Sequence, residues 1–448
     1  MENNKKNTKQ TAVADPRKLA LHSLEKWEKA GKYVPIETAS TLARAELSDA
    51  DRRFYTALVY GVVERAVTLD YVIGKFSKRT ADEIEPAVRT VLRLGLYQLM
   101  FMDRVPDHAA VSSTVELAPR RAAGFVNALL RSFIRAGGQY ELPSRNESPL
   151  SYLSVKYSVP EELCGFFVEA YGEDVAEKIL ASTAGDGRIC LRVNTLRTTL
   201  DDAEARILAQ GGECRRSALS PEILVLPHGS EFLTGISDGS WFVQDEASSA
   251  AIDVLAPTPG STVVDLCSAP GGKSFSAAMH MQGRGRIYSF DIHENKLSLV
   301  RSGAERLGLG IITTSAGDAR HPTDELCGAA DYVICDAPCS GLGVIAKKPD
   351  IRYKSVKDIA ALPNVQYEIL CGAAKCVRPG GVLLYSTCTL APAENGGVVE
   401  KFLAAHPEFE PEDFSLAGEV HNGSVTLFPH IHGCDGFFIS KMKRRAEK

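Results

Sequence analysis

Beyond residue 260, short apolar runs alternate with helix-length segments, and most of the runs stop at or beside an acidic residue or a cysteine. The runs are Thr262–Leu266, Arg286–Asp291, Ile311–Thr314, Tyr332–Cys335 and Val382–Ser386. Helical patterning falls between them at about 272–282, 294–307 and 358–377. Strands that are mostly apolar suit a sheet covered on both faces, and alternation with helices joins them as right-handed βαβ units. A doubly wound α/β domain with a parallel sheet is expected over 256–448. In such sheets a ligand binds beyond the carboxyl ends of the strands.

The rest of the chain has different periodicities. Residues 16–140 are helical in pattern. Leu19, Leu24 and Trp27 follow Pro16, a residue suited to a first helical turn. Phe54, Leu58, Val62, Leu69 and Val72 share one face, and Val88, Leu92, Leu96 and Leu99 follow Pro86. An all-helical bundle is expected there. Gly137, Gly138, Pro143, Ser144, Ser148 and Pro149 mark a linker. Residues 151–255 mix short apolar runs, Ile189–Val193 and Ile223–Leu226, with helical stretches, which suggests a small α+β domain. Residues 1–15 are polar and are expected to be a flexible tail.

Charge is unevenly spread over these segments. The whole chain carries a net −5, which argues against a protein that coats nucleic acid indiscriminately. Residues 1–150 hold 23 Lys and Arg against 18 Asp and Glu, whereas 151–255 hold 8 against 17. A grip on a polyanion belongs in the first third or in local patches. The eleven cysteines include no Cys-x-x-Cys pair and no disulfide-scaffold spacing. So many thiols without a signal peptide suggest a reduced, cytoplasmic protein. No apolar run reaches membrane-span length, and no metal-ligand spacing appears, so neither a membrane nor a metal is expected.

Four constellations carry chemistry. Val264-Asp265-Leu266 leads into Cys267, Ser268, Ala269, Pro270, Gly271, Gly272 and Lys273, a strand–turn–helix whose glycines admit a ligand to the backbone. It lacks the spacing of a phosphate-binding Walker loop. Asp291 ends the next strand, where a carboxylate suits a ribose hydroxyl pair, and Asp318 follows the third. Either alone is more often a surface cap or turn residue, but three successive strand ends bearing acids and glycines are much harder to assign to chance. Asp336-Ala337-Pro338-Cys339 ends the fourth strand, and Thr387-Cys388-Thr389 ends the fifth. Most cysteines are buried and inert. Cys339 and Cys388 are set apart by their position at neighbouring strand ends.

The stretches LCSAPGGK, DAPCSG and YSTCT, in this order, resemble the Sun/Fmu-type RNA cytosine-5 methyltransferases. VLRLGLYQLMFM and GFVNALLRSF resemble a NusB-like RNA-binding domain, and LRVNTLR with FVQDEASS resembles the family's small α+β, RNA-binding-like middle domain. Together they resemble the architecture of bacterial 16S rRNA cytosine-5 methyltransferases. The resemblance implies a Rossmann-like catalytic domain that uses S-adenosylmethionine. It implies that Cys267–Lys273 wraps the methionine part, Asp291 the ribose and Asp318 the adenine, with Asp336 near both cofactor and target base. It implies Cys388 as nucleophile and Cys339 as the residue that assists product release. Ser268 stands where the family more often has Ala.

The implied partner is RNA, either 16S rRNA or an assembling small ribosomal subunit, and a monomer is expected. Lys347, Lys348, Arg352 and Lys354, following the Pro-Cys motif, are candidate phosphate contacts or a solvated basic loop. Arg120, Arg121, Arg131, Arg135 and the basic tail from Lys441 to Arg445 are weaker candidates. DNA cytosine-5 methyltransferases use the Pro-Cys cysteine as nucleophile, so Cys339 remains the rival to Cys388. Two other functions stay open: a tRNA cytosine-5 methyltransferase on the same scaffold, and a non-catalytic RNA-binding or antitermination factor. Intact cysteines and an intact glycine loop argue against the last.

Overall fold

A computed structural model describes residues 15–30, 33–185, 187–227 and 234–446. They form two compact units. One runs to Gly165 and also takes in Lys348–Tyr353; the other comprises Phe166–Lys347 and the chain from Lys354 onward. Among the described residues no helix is long and apolar enough to cross a membrane.

The first unit is helical, with helices Pro16–Ala30, Val34–Arg44, Asp49–Ser77, Pro86–Phe101, Asp107–Leu117, Ala123–Arg135 and Pro149–Tyr157. Prolines stand in the first turn of four of them, where a missing N–H costs nothing. Leu24, Leu58, Val62, Leu69, Leu92, Leu96, Leu130 and Phe133 form the shared core. Gly61 lets two helices meet closely, since a Cβ there would stand 2.0 Å from the Tyr97 ring. Buried Arg93 forks onto Asp70 at 2.7 and 2.6 Å, and Glu28 bridges Arg93 to Arg89.

The short turn Pro349–Tyr353 packs into this unit. The buried Arg352 guanidinium donates to the carbonyls of Pro349 (3.1 Å), Glu64 (2.8 Å) and Ser158 (3.0 Å). The Tyr353 hydroxyl donates to the Val63 carbonyl at 2.6 Å, and its ring meets Trp27 edge-on.

In the second unit, strands β1 (Ile189–Val193), β2 (Arg215–Arg216), β3 (Ile223–Leu226) and β4 (Trp241–Val243) form an antiparallel sheet in the order β2-β3-β1-β4. Arg192 of β1 is fully buried and bonds Glu222 at 2.6 Å, Asp253 at 3.2 Å and the Ser249 hydroxyl. His280 and Ser220 also bond Asp253. Glu222, Asp253 and His280 lie close enough to share an ion, but Arg192 already supplies the positive charge.

The larger sheet holds β5 (Thr262–Asp265), β6 (Arg286–Asp291), β7 (Ile312–Ala316), β8 (Ala330–Asp336), β9 (Val377–Thr387) and β10 (Phe409–Pro411). After the small hairpin β11 (Phe414–Leu416) and β12 (Glu419–His421) come β13 (Ser424–Leu427) and β14 (Phe437–Arg444). The order is β10-β14-β9-β8-β5-β6-β7, with β13 also on β14. Strands β5 to β9 are mutually parallel. Successive residues point to opposite faces: Val263, Ile334 and Leu384 join the core beneath helices Glu246–Leu255, Gly272–His280 and Glu294–Leu307. Val264, Val333, Leu383 and Tyr385 join the core beneath Val356–Cys376 and Gly396–Ala405.

The sheet is mixed rather than wholly parallel, because β14 pairs antiparallel with β9. The basic tail is therefore a strand. Met442 is buried between Lys441 and Lys443, whose ammonium groups approach Glu412 at 3.4 and 3.8 Å.

Replacing Arg352 by Ala strips charged donors from buried carbonyls and removes a packed stem. The expected cost is roughly 2–4 kcal/mol, read as a lower urea midpoint, with Arg352→Lys restoring part of it.

Candidate active site

Parallel pairing brings the chemistry to one edge of the sheet. Asp336 of β8 lies opposite Ser386 of β9, so the loops that follow carry Cys339 and Cys388 side by side. Their sulfurs are 3.3 Å apart. The hydrogen bond to Cys388 and burial push the Cys339 thiol well above its ordinary value. Cys339 is then the protonated partner and Cys388 the acceptor.

Backbone contacts hold the loops. The Gly343 N–H donates to the Cys388 carbonyl at 3.0 Å, and the Gly436 N–H donates to the Gly343 carbonyl at 2.9 Å. A Cβ on Gly343 would stand 1.8 Å from the Gly436 oxygen, so the approach requires glycine. The buried Glu394 carboxylate accepts from the Ser340 N–H at 2.8 Å, from Gln366 Nε2 at 2.7 Å and from the hydroxyls of Ser340 and Thr389.

The glycine loop runs from the end of β5. Gly271 has φ 113°, and a Cβ there would meet the Phe275 ring at 2.3 Å. Helix Gly272–His280 then starts beneath the loop. Lys273 turns its ammonium to Asp336 Oδ2 (2.8 Å) and the Ser248 hydroxyl (2.9 Å), while the Ser386 hydroxyl donates to Asp336 Oδ1 at 2.7 Å. A cavity of about 270 Å³ is lined here by Asp265, Ser268, Lys273, Asp336, Cys388 and Phe437, among others.

Two buried oxygens at this loop have no hydrogen-bond partner, Asp265 Oδ1 and Ser268 Oγ. Asp265 Oδ2 accepts from the Ser274 hydroxyl at 2.7 Å. Burial above all pushes the Asp265 carboxyl up to about 7. Unsatisfied buried acceptors beside an open cavity fit a polar ligand better than a sealed core.

Of the other expected residues, Asp291 and Asp318 end or follow the adjacent strands β6 and β7 but do not line this cavity. Asp291 Oδ1 accepts from the His293 N–H at 2.9 Å. Asp318 is gripped by Arg320, whose Nη2 lies 2.7 Å from Oδ2, and this holds its carboxyl down at about 2.

The basic loop is divided. Lys347 bonds Asp245 at 2.6 Å and Asp435 at 2.8 Å, and Lys354 donates to the Ser340 carbonyl at 2.6 Å. Arg352 is buried among carbonyls in the helical unit, so it offers no face to a phosphate. Lys348 is exposed. Sequence reasoning named Asp265 in the loop motif without a role of its own and passed over Asp245, Asp435, Gln366 and Glu394. A pattern signal existed only for Asp265, an acid ending a strand immediately before the glycine loop.

The raised Asp265 carboxyl makes the folded protein bind a proton that the unfolded chain, near 3.8, has lost. Stability drawn from it is lost as pH rises from about 4 to about 7. Asp265→Asn should therefore melt higher than the unmodified protein at pH 8 and close to it at pH 4, checked by thermal unfolding at both.

Three family models match in succession: the NusB family over residues 14–135, a ferredoxin-like domain of RsmF/B-like methyltransferases over 159–232, and 16S rRNA methyltransferase RsmB/F over 252–443. A probable ribosomal RNA small subunit methyltransferase B of Bacillus subtilis is 37% identical, covering 98% of this chain and 100% of that protein. A second, of Synechocystis, is 34% identical over 96% of this chain and 99% of its own. The crystal structure of PH0851 superposes with a TM-score of 0.78 at 28% identity, covering 97% of this chain and all of that one. A methyltransferase homologue from Pyrococcus horikoshii covers 66% of this chain and 99% of its own at TM-score 0.59 and 25% identity. Matched along nearly its whole length, the chain belongs to the 16S rRNA methyltransferase RsmB/F family and is an rRNA methyltransferase.

Proposed function

We propose that this enzyme methylates C5 of a cytosine in 16S rRNA, with S-adenosylmethionine as methyl donor and Cys388 as covalent nucleophile. The observation that carries the reading is the thiol pair, 3.3 Å apart, with Cys388 opening on the same cavity as the glycine loop and Asp336. When bound, S-adenosylmethionine supplies an electrophilic methyl group on a sulfonium. The residues present fit it: unpartnered Asp265 Oδ1 and Ser268 Oγ accept or donate polar contacts, and Asp265, Asp291 and Asp336 suit hydroxyls and a cation.

C5 of cytosine is a weak nucleophile, and the cysteine pair answers that need. The Cys388 thiolate adds to C6, and the displaced electron pair raises density at C5. C5 would then form the new carbon–carbon bond to the methyl group as the methyl–sulfonium bond breaks, its electron pair returning to sulfur. A base then takes the C5 proton; that C–H pair re-forms the ring double bond and expels the Cys388 thiolate, whose departure the neighbouring Cys339 thiol assists by donating a hydrogen bond to the leaving sulfur. The donated hydrogen bond from Cys339 stabilises sulfur charge on Cys388 in the resting site. Lys273 and Ser386 orient the Asp336 carboxylate at the cavity that the target base would enter. Closure of the ring chemistry requires the base outside its stack, so a single-stranded or flipped cytosine is the substrate. Exposed Lys348 is the loop cation best suited to the RNA backbone.

Cys388→Ala should lower methylation by about 10³-fold or more. Cys339→Ala should accumulate a protein–RNA complex that survives denaturing electrophoresis. Trapping by Cys388→Ala instead would reverse the two roles. Bisulfite sequencing of rRNA and tRNA from cells lacking the gene should lose one 5-methylcytosine from small-subunit rRNA. Loss confined to tRNA would overturn the substrate assignment.

A further inference from the structure

Glu394 lies in neither cysteine motif, yet its carboxylate joins both. It is fully buried. Oε2 accepts from the Ser340 N–H at 2.8 Å and from Gln366 Nε2 at 2.7 Å. Oε1 accepts from the Ser340 hydroxyl and, at 3.3 Å, from the Thr389 hydroxyl. Ser340 directly follows Cys339, and Thr389 directly follows Cys388. The two hydroxyl oxygens also lie 2.6 Å apart, so with Ser340 donating to Oε1 the single Thr389 proton is shared between Ser340 Oγ and Oε1. Gln366 ties the cluster to the Pro338 carbonyl at 3.1 Å, on the other side of Cys339. The Glu394 backbone carbonyl accepts from Tyr385 of β9 at 2.7 Å.

A fully desolvated carboxylate is costly unless every lone pair is matched, and these partners are uncharged donors. One methylene less would withdraw the carboxylate from at least one loop. Lys354 donates to the Ser340 carbonyl and Asn395 to the Thr389 carbonyl, but each of these holds one of the two residues, whereas Glu394 reaches both. Reacting groups lose efficiency steeply when displaced by an ångström. The carboxylate charge also contributes to holding the Cys339 thiol protonated.

We propose that Glu394 is a positioning residue that sets the separation of Cys339 and Cys388 by bridging Ser340 and Thr389. The proposal rests on the reading of these cysteines as the reacting pair. Glu394 itself is fully buried and does not line the cavity.

The test uses the full-length enzyme with Glu394→Ala and Glu394→Gln. Thiol proximity is read with diamide: both thiols lose hydrogen, one S–S bond forms, and the azo group is reduced to a hydrazine. The linked Cys339–Cys388 peptide is quantified by mass spectrometry. The unmodified enzyme and Glu394→Gln, whose amide reaches the same partners, should cross-link at rates within about threefold of each other. Glu394→Ala should cross-link about tenfold slower or worse and lose kcat on the order of 10²-fold, with S-adenosylhomocysteine affinity held within about threefold by calorimetry. Rescue by glutamine with an unchanged cofactor site is what general destabilisation would not produce.

Cross-linking and turnover of Glu394→Ala equal to those of the unmodified enzyme would overturn the proposal. Should Glu394→Ala fail to fold, Ser340→Ala carries the test by deleting one arm of the bridge: slower cross-linking and lower kcat support it, and unchanged values overturn it. The cross-linking assay needs no methyl transfer. An unmodified enzyme that makes no 5-methylcytosine, with cross-linking still dependent on Glu394, would sink the cytosine-5 reading and leave the positioning role standing.

Discussion

The site depends on the parallel pairing of β8 with β9. Asp336 opposite Ser386 sets the register from which both cysteine loops depart. A one-residue slip of either strand would turn Asp336 or Ser386 to the other face and break their hydrogen bond. Side-chain alternation makes such a slip expensive, because Val333 and Ile334 face two different cores. The geometry of the reacting atoms is thus secured by hydrophobic burial some distance away.

Buried charges are placed where chain segments remote in sequence must meet. Lys273 joins the glycine loop to Asp336, Glu394 joins the two cysteine loops, and Arg192 joins β1 to the helix that carries Asp253. None of these is a cheap source of stability, since desolvation offsets much of the attraction. Their effect is to make one arrangement far better than its neighbours. Ion pairing, both buried and exposed, accounts for part of the acidic excess over 151–255. Glu222 and Asp253 serve Arg192, Asp201 and Glu204 serve Arg216, and Asp245 serves Lys347.

Legibility followed periodicity. The parallel strands and the bundle helices were readable because each repeats apolar residues at its own period over several turns or alternations. Strand Arg286–Asp291 and helix Glu294–Leu307 match their expected bounds. Strand β14 escaped because its lysines mimic a solvated tail, and only their pairing with Glu412 in space makes the alternation meaningful. Arg352 escaped for the converse reason. A cation between two lysines looks like surface, and the carbonyls that bury it lie nearly 200 and 300 residues away.

By itself the sequence determined the type and order of the elements, the glycine loop and the two cysteine motifs, because local period and turn chemistry are properties of contiguous residues. Only the tertiary structure decided which groups face one another: the sulfurs 49 positions apart, Lys273 on Asp336, and Glu394 across both loops. Those contacts come from strand register and loop packing, and neither is encoded within a single window of the chain.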